Sequence, residues 1–322
     1  MRFHLYATYF AINIFLCAVQ AWARQPVTAD ARTQVEALPD GNVRDPKPSA
    51  EQIANLLANS KKNMIRLPGA TFEMGDWGSA VNKGGLPFDN NRDSKPLHKV
   101  TLDTFSMEKF PVTYAEFDIF TAVLGLPRIN QEKVFESFRK KNNPAGVSWQ
   151  GAKDYCLWIG KELGLPIDLP SEAQWEFAAR SGGKRHLFPT DNGKFEPGRN
   201  VPSVSQREAA GGMIAVGSFP PNSSGFYNFG AGIQEWTNDW YGENYYLISP
   251  ILNPKGPSKG RARVVRGNFG TIVPNFMRWF REPKELLGTW TLYATKRGVD
   301  DKNIPYTRYS GEYDSTFRCV IN

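Results

Sequence analysis

The chain is poor in the residues that most enzymes use for covalent, metal or redox chemistry. It has three cysteines and three histidines in 322 residues. His98 and His186 lie far apart, and neither sits in an H-x-x-x-H or H-x-x-E-H spacing, so the common zinc and iron ligand patterns are missing. There is no C-x-x-C pair and no phosphate loop, and no strand-to-helix stretch offers a G-x-S-x-G nucleophile elbow. Thiol-redox, kinase and serine-hydrolase chemistry therefore lack a sequence basis.

A concentration of one charge is also lacking. The 39 basic and 32 acidic residues leave +7, spread along the chain without the dense Lys/Arg block that tracks a phosphate backbone, which argues against a nucleic-acid partner. An acidic protein surface or an anionic small molecule remains compatible. No apolar run is long and unbroken enough for a confident membrane span. Instead "MRFHLYATYFAINIFLCAVQAWA" has an early charge at Arg2, an apolar stretch, and small residues at Ala21 and Ala23, the layout of a secretory signal cut after Ala23. Cys17 follows Phe15 and Leu16 and lacks the small residue that a lipoprotein cleavage site places before its cysteine. The expectation is a periplasmic or secreted protein with no membrane span once residues 1–23 are removed.

What is abundant describes a loop-rich chain packed around large rings: Gly 29, Pro 23 and 13% aromatics. Such a chain needs a staple. Cys156 and Cys319 remain after cleavage, and in an oxidising compartment their even number points to one disulfide, with two buried free thiols as the alternative.

Residues 24–48 are polar, contain proline and show no period, which reads as a flexible arm. Ser49 with Gln52 then opens a short amphipathic helix carrying Ile53, Leu56 and Leu57, so 24–62 precedes a domain at 63–322. "NMIRLPGATFEMGD" alternates like a hairpin broken at Pro68-Gly69, and "LHKVTLDTFSMEKFPVT" returns to strand-like alternation. Thr113 with Glu116 and Ser171 with Gln174 cap two further helices. Between them, Ala152, Tyr155, Cys156, Ile159 and Leu163 share one helical face.

Two stretches concentrate chemistry. "GFYNFGAGIQEWTNDWYGENYY", 225–246, sets Glu235, Asp239 and Glu243 among Trp236, Trp240, Tyr241, Tyr245 and Tyr246. It reads either as a carboxylate pair for acid–base work, or as a loop whose oxygens cap donors or hold calcium while the rings fill the core. "RVVRGNFGTIVPNFMRWFREP", 263–283, places four arginines among large apolar residues with no cysteine, histidine, serine or carboxylate before Glu282.

The segments "MIRLPGATFEMGD", "FPVTYAEF", "NPAGVSWQGAKDYCLWIGKELGLPIDLPSEAQWEFAAR", "VGSFPPNSSGFYNFGAGIQEWTNDWY", "RVVRGNFG" and "TFRCVI" occur in an order that resembles the formylglycine-generating enzyme (sulfatase-modifying factor) family across residues 63–322. The resemblance implies an α+β domain of the formylglycine-generating-enzyme fold. That fold is C-type-lectin-like, loop-rich, low in regular secondary structure and often steadied by calcium. It also implies that Cys156 pairs with Cys319. True formylglycine-generating enzymes bind copper through two further cysteines shortly after an R-G-G-S motif. Here that motif reads Arg266, Gly267, Asn268, Phe269, with no cysteine through Met277. Copper(I) needs soft thiolate ligands, so copper is not expected and the chain reads as a pseudoenzyme.

The family's calcium motif G-N-V-x-E-W reads Ala231, Gly232, Ile233, Gln234, Glu235, Trp236, leaving Glu235 as a calcium candidate, with Asn200 in "GRNV" as another. The resemblance places the arginine-rich stretch in a substrate groove. It would make Arg266, Asn268, Phe269, Arg278, Trp279 and Arg281, with Trp236 and Trp240, a binding surface suited to protein recognition. The alternative is that Arg266 and Arg281 pair with core carboxylates. The functional expectation is an exported module that binds a protein in the cell envelope, as an inhibitor or immunity protein, or a small molecule. A periplasmic oxidoreductase or tailoring enzyme, of the kind that acts in siderophore maturation, is the alternative. A lectin-like sugar binder rests on fold analogy alone.

Overall fold

A computed structural model describes residues 44–131, 135–229, 232–268, 270, 272–283, 309 and 313–322. The signal segment, residues 24–43 of the arm, Ala231 and Phe269 lie outside those residues.

The helices begin where short polar side chains can satisfy free backbone donors. At α1 (Ala50–Asn63), Ser49 accepts from the Gln52 amide while the Gln52 side chain returns to the Ser49 amide. The same reciprocal box starts α3 (Tyr114–Val123) at Thr113 and α5 (Glu172–Ala179) at Ser171, after the short α2 (Gly78–Val81) early in the chain. Ser203 and Gln206 form a fourth box at α6 (Val204–Ala209), a helix that apolar periodicity did not reveal because none of its residues is buried. Helix α4 (Trp149–Leu163) starts at Ser148 and stops at Gly164, whose φ of 64° lies in the left-handed region that glycine adopts without a Cβ clash. It buries Ala152, Tyr155, Cys156 and Ile159 as the sequence pattern requires, with Leu163 at the edge of that face.

The strands are β1 (Met64–Leu67), β2 (Ala70–Met74), β3 (His98–Leu102), β4 (Phe105–Glu108), β5 (Ile167–Asp168), β6 (Gln234–Trp240), β7 (Arg263–Arg266), β8 (Arg278–Arg281), β9 (Ser315–Thr316) and β10 (Val320–Ile321). They form three sheets, ordered β1-β4-β10-β5, β2-β3 and β8-β7-β6-β9. The hairpin expected across Pro68-Gly69 does not form. Strand β1 pairs with β4 and β2 with β3, each antiparallel, so the chain changes sheet at that point. Gly69 permits the crossing, because a Cβ there would sit 2.5 Å from the Leu102 carbonyl oxygen. Nor is 225–246 a loop throughout. Strand β6 occupies its centre, and burial on both faces removes the alternation that would have announced it.

Two clusters of buried apolar side chains fill the interior. One gathers α3 and α4 with Trp236, Val265 and Phe317, and the other gathers Phe72, Phe105, Phe177, Phe226 and Phe229 around β2–β4 and α5. Cys156 and Cys319 are bonded in the first cluster with Cα atoms 5.5 Å apart, which excludes the free-thiol alternative. The bridge ties α4 to the residue before β10 across 163 positions.

Candidate functional site

Helix α5 and the residue that caps its end set Glu172, Glu176 and Arg180 at successive four-residue steps, along one side of the helix. Strands β7 and β8 bring Arg266 and Arg278 opposite each other in register, facing that helix. Arg266 donates to Glu172 Oε1 at 2.7 Å and to Glu176 Oε2 at 2.7 Å, and also to the Asn275 carbonyl. Arg278 holds both oxygens of Glu172, at 2.6 and 3.0 Å, and Arg180 reaches Glu176 Oε1 at 2.9 Å. All five side chains are buried.

Burial pushes the Glu172 carboxyl up, but Arg278 and Arg266 together outweigh it and hold the group below its ordinary range. Conversely, burial pulls both guanidinium groups down, and the carboxylates beside them more than reverse it. Glu172, Arg266 and Arg278 hold one another in the charged form. The three arginines and two glutamates leave a net of +1 and Arg266 Nε has no hydrogen-bond partner, but every one of these side chains is buried away from any ligand arriving from solvent.

This corrects the groove reading for three residues. Arg266 and Trp236 are 0% exposed and Arg278 is 2% exposed, so none of them lines a surface. A guanidinium in that position must be paired or pay a large desolvation cost, and the structure pairs it. Trp236 spends its indole N–H on the Val147 carbonyl at 2.9 Å. Arg281 also pairs, with Asp314 at 2.7 Å and with Gln234, but at a half-buried edge. Trp240, Arg263 and Arg281 are cross-strand neighbours on β6, β7 and β8, with the Arg263 guanidinium between the Trp240 and Trp149 rings, 3.4 and 3.8 Å from their centres. Trp279 and Asn268 are half-buried.

The acid–base reading of 225–246 does not assemble. Glu235 gives one oxygen to Arg318 Nη2 at 2.7 Å and the other to Arg318 Nε at 2.8 Å and Trp175 Nε1 at 3.0 Å. Asp239 is buried and accepts the Glu172 amide at 2.9 Å at the start of α5, while Glu243 is exposed. Burial, with Glu172 nearby, pushes the Asp239 carboxyl up to about 8, so it serves as a neutral or near-neutral cap. Sequence reasoning missed Glu172, Glu176, Arg180 and Arg318. The four-residue spacing in "SEAQWEFAAR" was the available signal for the first three, and Arg318 had only its place beside Cys319.

The two calcium candidates part ways. Glu235 does not fit, because Arg318 and Trp175 occupy its oxygens. Gly232 stands where the family has asparagine, and the Arg207 guanidinium lies 1.8 Å from where a Cβ would project. Asn200 lies among oxygens, but it is its Nδ2 that donates to them, to Asp191 Oδ1 at 3.0 Å, Asn192 Oδ1 at 3.1 Å, the Lys194 carbonyl at 3.1 Å and Glu196 Oε2 at 3.3 Å, while its own oxygen accepts the Glu196 amide at 3.0 Å. These are hard oxygens of the kind calcium takes, but the Asn200 amide nitrogen fills the point on which they converge and Arg199 holds Asp191 and Glu196. Gly256-Pro257-Ser258-Lys259-Gly260 matches the spacing of a nucleophile elbow but lies in an irregular exposed loop, without the strand-to-helix turn that mechanism needs.

An open cleft of about 340 Å³ lies elsewhere, with Met213, Ile214 and Phe219 as apolar lining and Lys140, Asn143 and Gln206 as polar lining. Sequence reasoning did not find it, because its walls come from α6 and the segment after it together with the distant loop at Lys140 and Asn143.

The family model described as "Sulfatase-modifying factor enzyme 1-like domain" matches residues 49–286. The chain is 31% identical over 274 residues to the formylglycine-generating enzyme of Streptomyces coelicolor, covering 69% of this chain and 83% of that enzyme. It is 32% identical over 209 residues to the serine/threonine-protein kinase pkn1 of Chlamydia pneumoniae, covering 59% of this chain but only 31% of the kinase. Among solved structures, PvdO from Pseudomonas aeruginosa superposes with a TM-score of 0.59 at 22% identity, over 80% of this chain and 94% of that one, a likeness of fold.

Proposed function

The chain belongs to the sulfatase-modifying factor family, and from that premise we propose that it uses the family scaffold for binding and not for copper-dependent cysteine oxidation. The observation that carries this is the disulfide. Beyond the expected signal segment, Cys156 and Cys319 are the only thiols in the sequence, and they are spent on each other in the core. Copper(I) chemistry needs soft thiolates, and Ile272 to Met277 supplies none.

We place the protein in the cell envelope after signal cleavage, acting on a protein partner there as an inhibitor or immunity protein would. The cleft beside Lys140 is the proposed seat of that partner or of a small ligand. Calcium, if bound, would displace the Asn200 amide nitrogen and be held by Asp191, Glu196 and the Lys194 carbonyl, where it would stiffen a loop.

The test is a copper(I) titration against a competing chelator, together with incubation of the protein with a sulfatase-type cysteine peptide. We expect no tight copper and no aldehyde product. Aldehyde formation, or copper held near one equivalent, would overturn the reading. It would favour the second one, an envelope oxidoreductase or tailoring enzyme, which draws support from the 31% identity across most of the Streptomyces enzyme.

A further inference from the structure

The connection between β6 and β7, residues 241–262, carries a feature that no buried network or cleft uses. Leu247, Ile248, Ile251 and Leu252 stand 66%, 79%, 60% and 60% exposed within one short run. Isolated exposed aliphatics are ordinary, but a run of four is not.

The run is held outward by the fold. On one side Tyr245 and Tyr246 are buried, and on the other Pro254 is buried. Residues 251–253 lie along β3 as a short extra strand: the Thr101 amide donates to the Ile251 carbonyl at 2.7 Å, and the Asn253 amide donates to the Thr101 carbonyl at 2.9 Å. The Asn253 side chain then closes both ways on Asp103, accepting from its amide at 2.9 Å and donating to its carboxylate at 2.7 Å. A loop so fixed presents these side chains to solvent by construction.

Basic residues flank the apolar run. Lys255, Lys259 and Arg261 are exposed, and within 243–261 only Glu243 opposes them, a net of +2. This basic segment folds back against the base of the run, with Pro257 against Gly242 and Gly256 against Asp239 and the Trp240 carbonyl. Two further carboxylates lie nearby: Asp103, which the Asn253 amide already occupies, and Glu282, 3.9 Å from an Arg261 Nη that is itself highly exposed.

We propose that this loop is an interfacial docking tip for an anionic lipid surface, with Leu247, Ile248, Ile251 and Leu252 entering the headgroup boundary while Lys255, Lys259 and Arg261 meet lipid phosphates. The chemistry favours lipid over a protein partner. The four large exposed side chains of the run are all aliphatic, with only Ser249 and Pro250 between them, whereas protein hot spots are built on tryptophan, tyrosine and arginine. Aliphatic side chains beside a lysine-rich flank match what an anionic interface rewards. Such docking is peripheral, since no helix among the described residues is long and apolar enough to cross a membrane.

The test is flotation of the full chain with vesicles of phosphatidylcholine alone and of phosphatidylcholine containing roughly one third phosphatidylglycerol. We expect binding to the anionic vesicles, weakened at high salt. It should fall at least about tenfold in a Leu247→Asp/Ile248→Asp variant and severalfold in a Lys255→Ala/Lys259→Ala variant. Both variants alter exposed side chains, so unchanged thermal melts will separate lost docking from lost folding. Equal recovery of wild type and variants with the vesicles would overturn the proposal. So would a dimer, seen by sedimentation, that the Leu247→Asp/Ile248→Asp change dissolves. Neither result bears on copper binding, so this inference stands or falls apart from the proposed function.

Discussion

Arg266 Nη1 lies 2.7 Å from Glu172 Oε1, a residue 94 positions earlier, with both side chains almost wholly removed from water. That one contact joins the central strand β7 to the first turn of α5, and Arg278 completes it on the same carboxylate. The relationship decides what the arginine-rich stretch is for, and it makes the first prediction.

Replacing Arg266 by leucine should cost about 3–5 kcal/mol, because Glu172 and Glu176 would be left buried with too little positive charge. Arg281→Leu, which breaks a half-exposed pair with Asp314, should cost about 1 kcal/mol or less. Chemical denaturation of the two variants measures the contrast. Similar small losses in both would show that the buried network does not stabilise the fold.

The bridge between Cys156 and Cys319 closes a loop of 163 residues. On the chain-entropy model this stabilises by about 5 kcal/mol. A Cys156→Ser/Cys319→Ser variant should unfold at a much lower denaturant concentration than the oxidised protein, and reductant should shift wild type the same way. A variant as stable as wild type would assign the stability to packing alone.

The stability contributed by two buried carboxyls, Asp239 and Glu108, should fall as pH rises from about 4 toward 8. Burial lifts the Asp239 carboxyl to about 8 and the Glu108 carboxyl to about 7, so the unfolded chain gives up these protons first. Between the unfolded and folded values the native state binds more protons, and raising the pH then favours unfolding. The contribution is fully present below the unfolded values and lost through the folded ones. Glu108→Gln keeps an acceptor for the Ser60 hydroxyl and removes the titration, so it should flatten the curve by about 3 kcal/mol over that range. A Glu108→Gln curve parallel to wild type would contradict the assignment.

Calcium at the 191–200 loop should bind weakly, with a Kd of roughly 10⁻⁴–10⁻³ M, since Arg199 and the Asn200 amide nitrogen compete for the same carboxylates. At tenfold excess over Kd it should stabilise by about 1.4 kcal/mol. Melting curves with calcium and with chelator, for wild type and Asp191→Ala, check this. An equal shift in both proteins would place the ion elsewhere.

The sequence alone determined a good deal, and it did so where local chemistry suffices. Three of the capping boxes, at Ser49, Thr113 and Ser171, are contained within four residues, and each forms as read. The inward face of α4 follows from helical period, which put Cys156 in the core. Six ordered segments were enough for the family, because each constrains the same chain in series.

Tertiary structure decided the rest, where partners lie far apart in the chain. Whether Arg266 faced water or a carboxylate depended on Glu172 and Glu176, and whether Glu235 was free depended on Arg318, 83 residues away. No local pattern encodes those pairings. The hairpin at Pro68-Gly69 failed for a related reason. Alternation shows that a strand exists but not which edge it will join, and only the assembled sheets put β4 beside β1 and β3 beside β2. The exposed run at Leu247 to Leu252 was equally silent, because apolar residues read as core until the fold shows that nothing covers them.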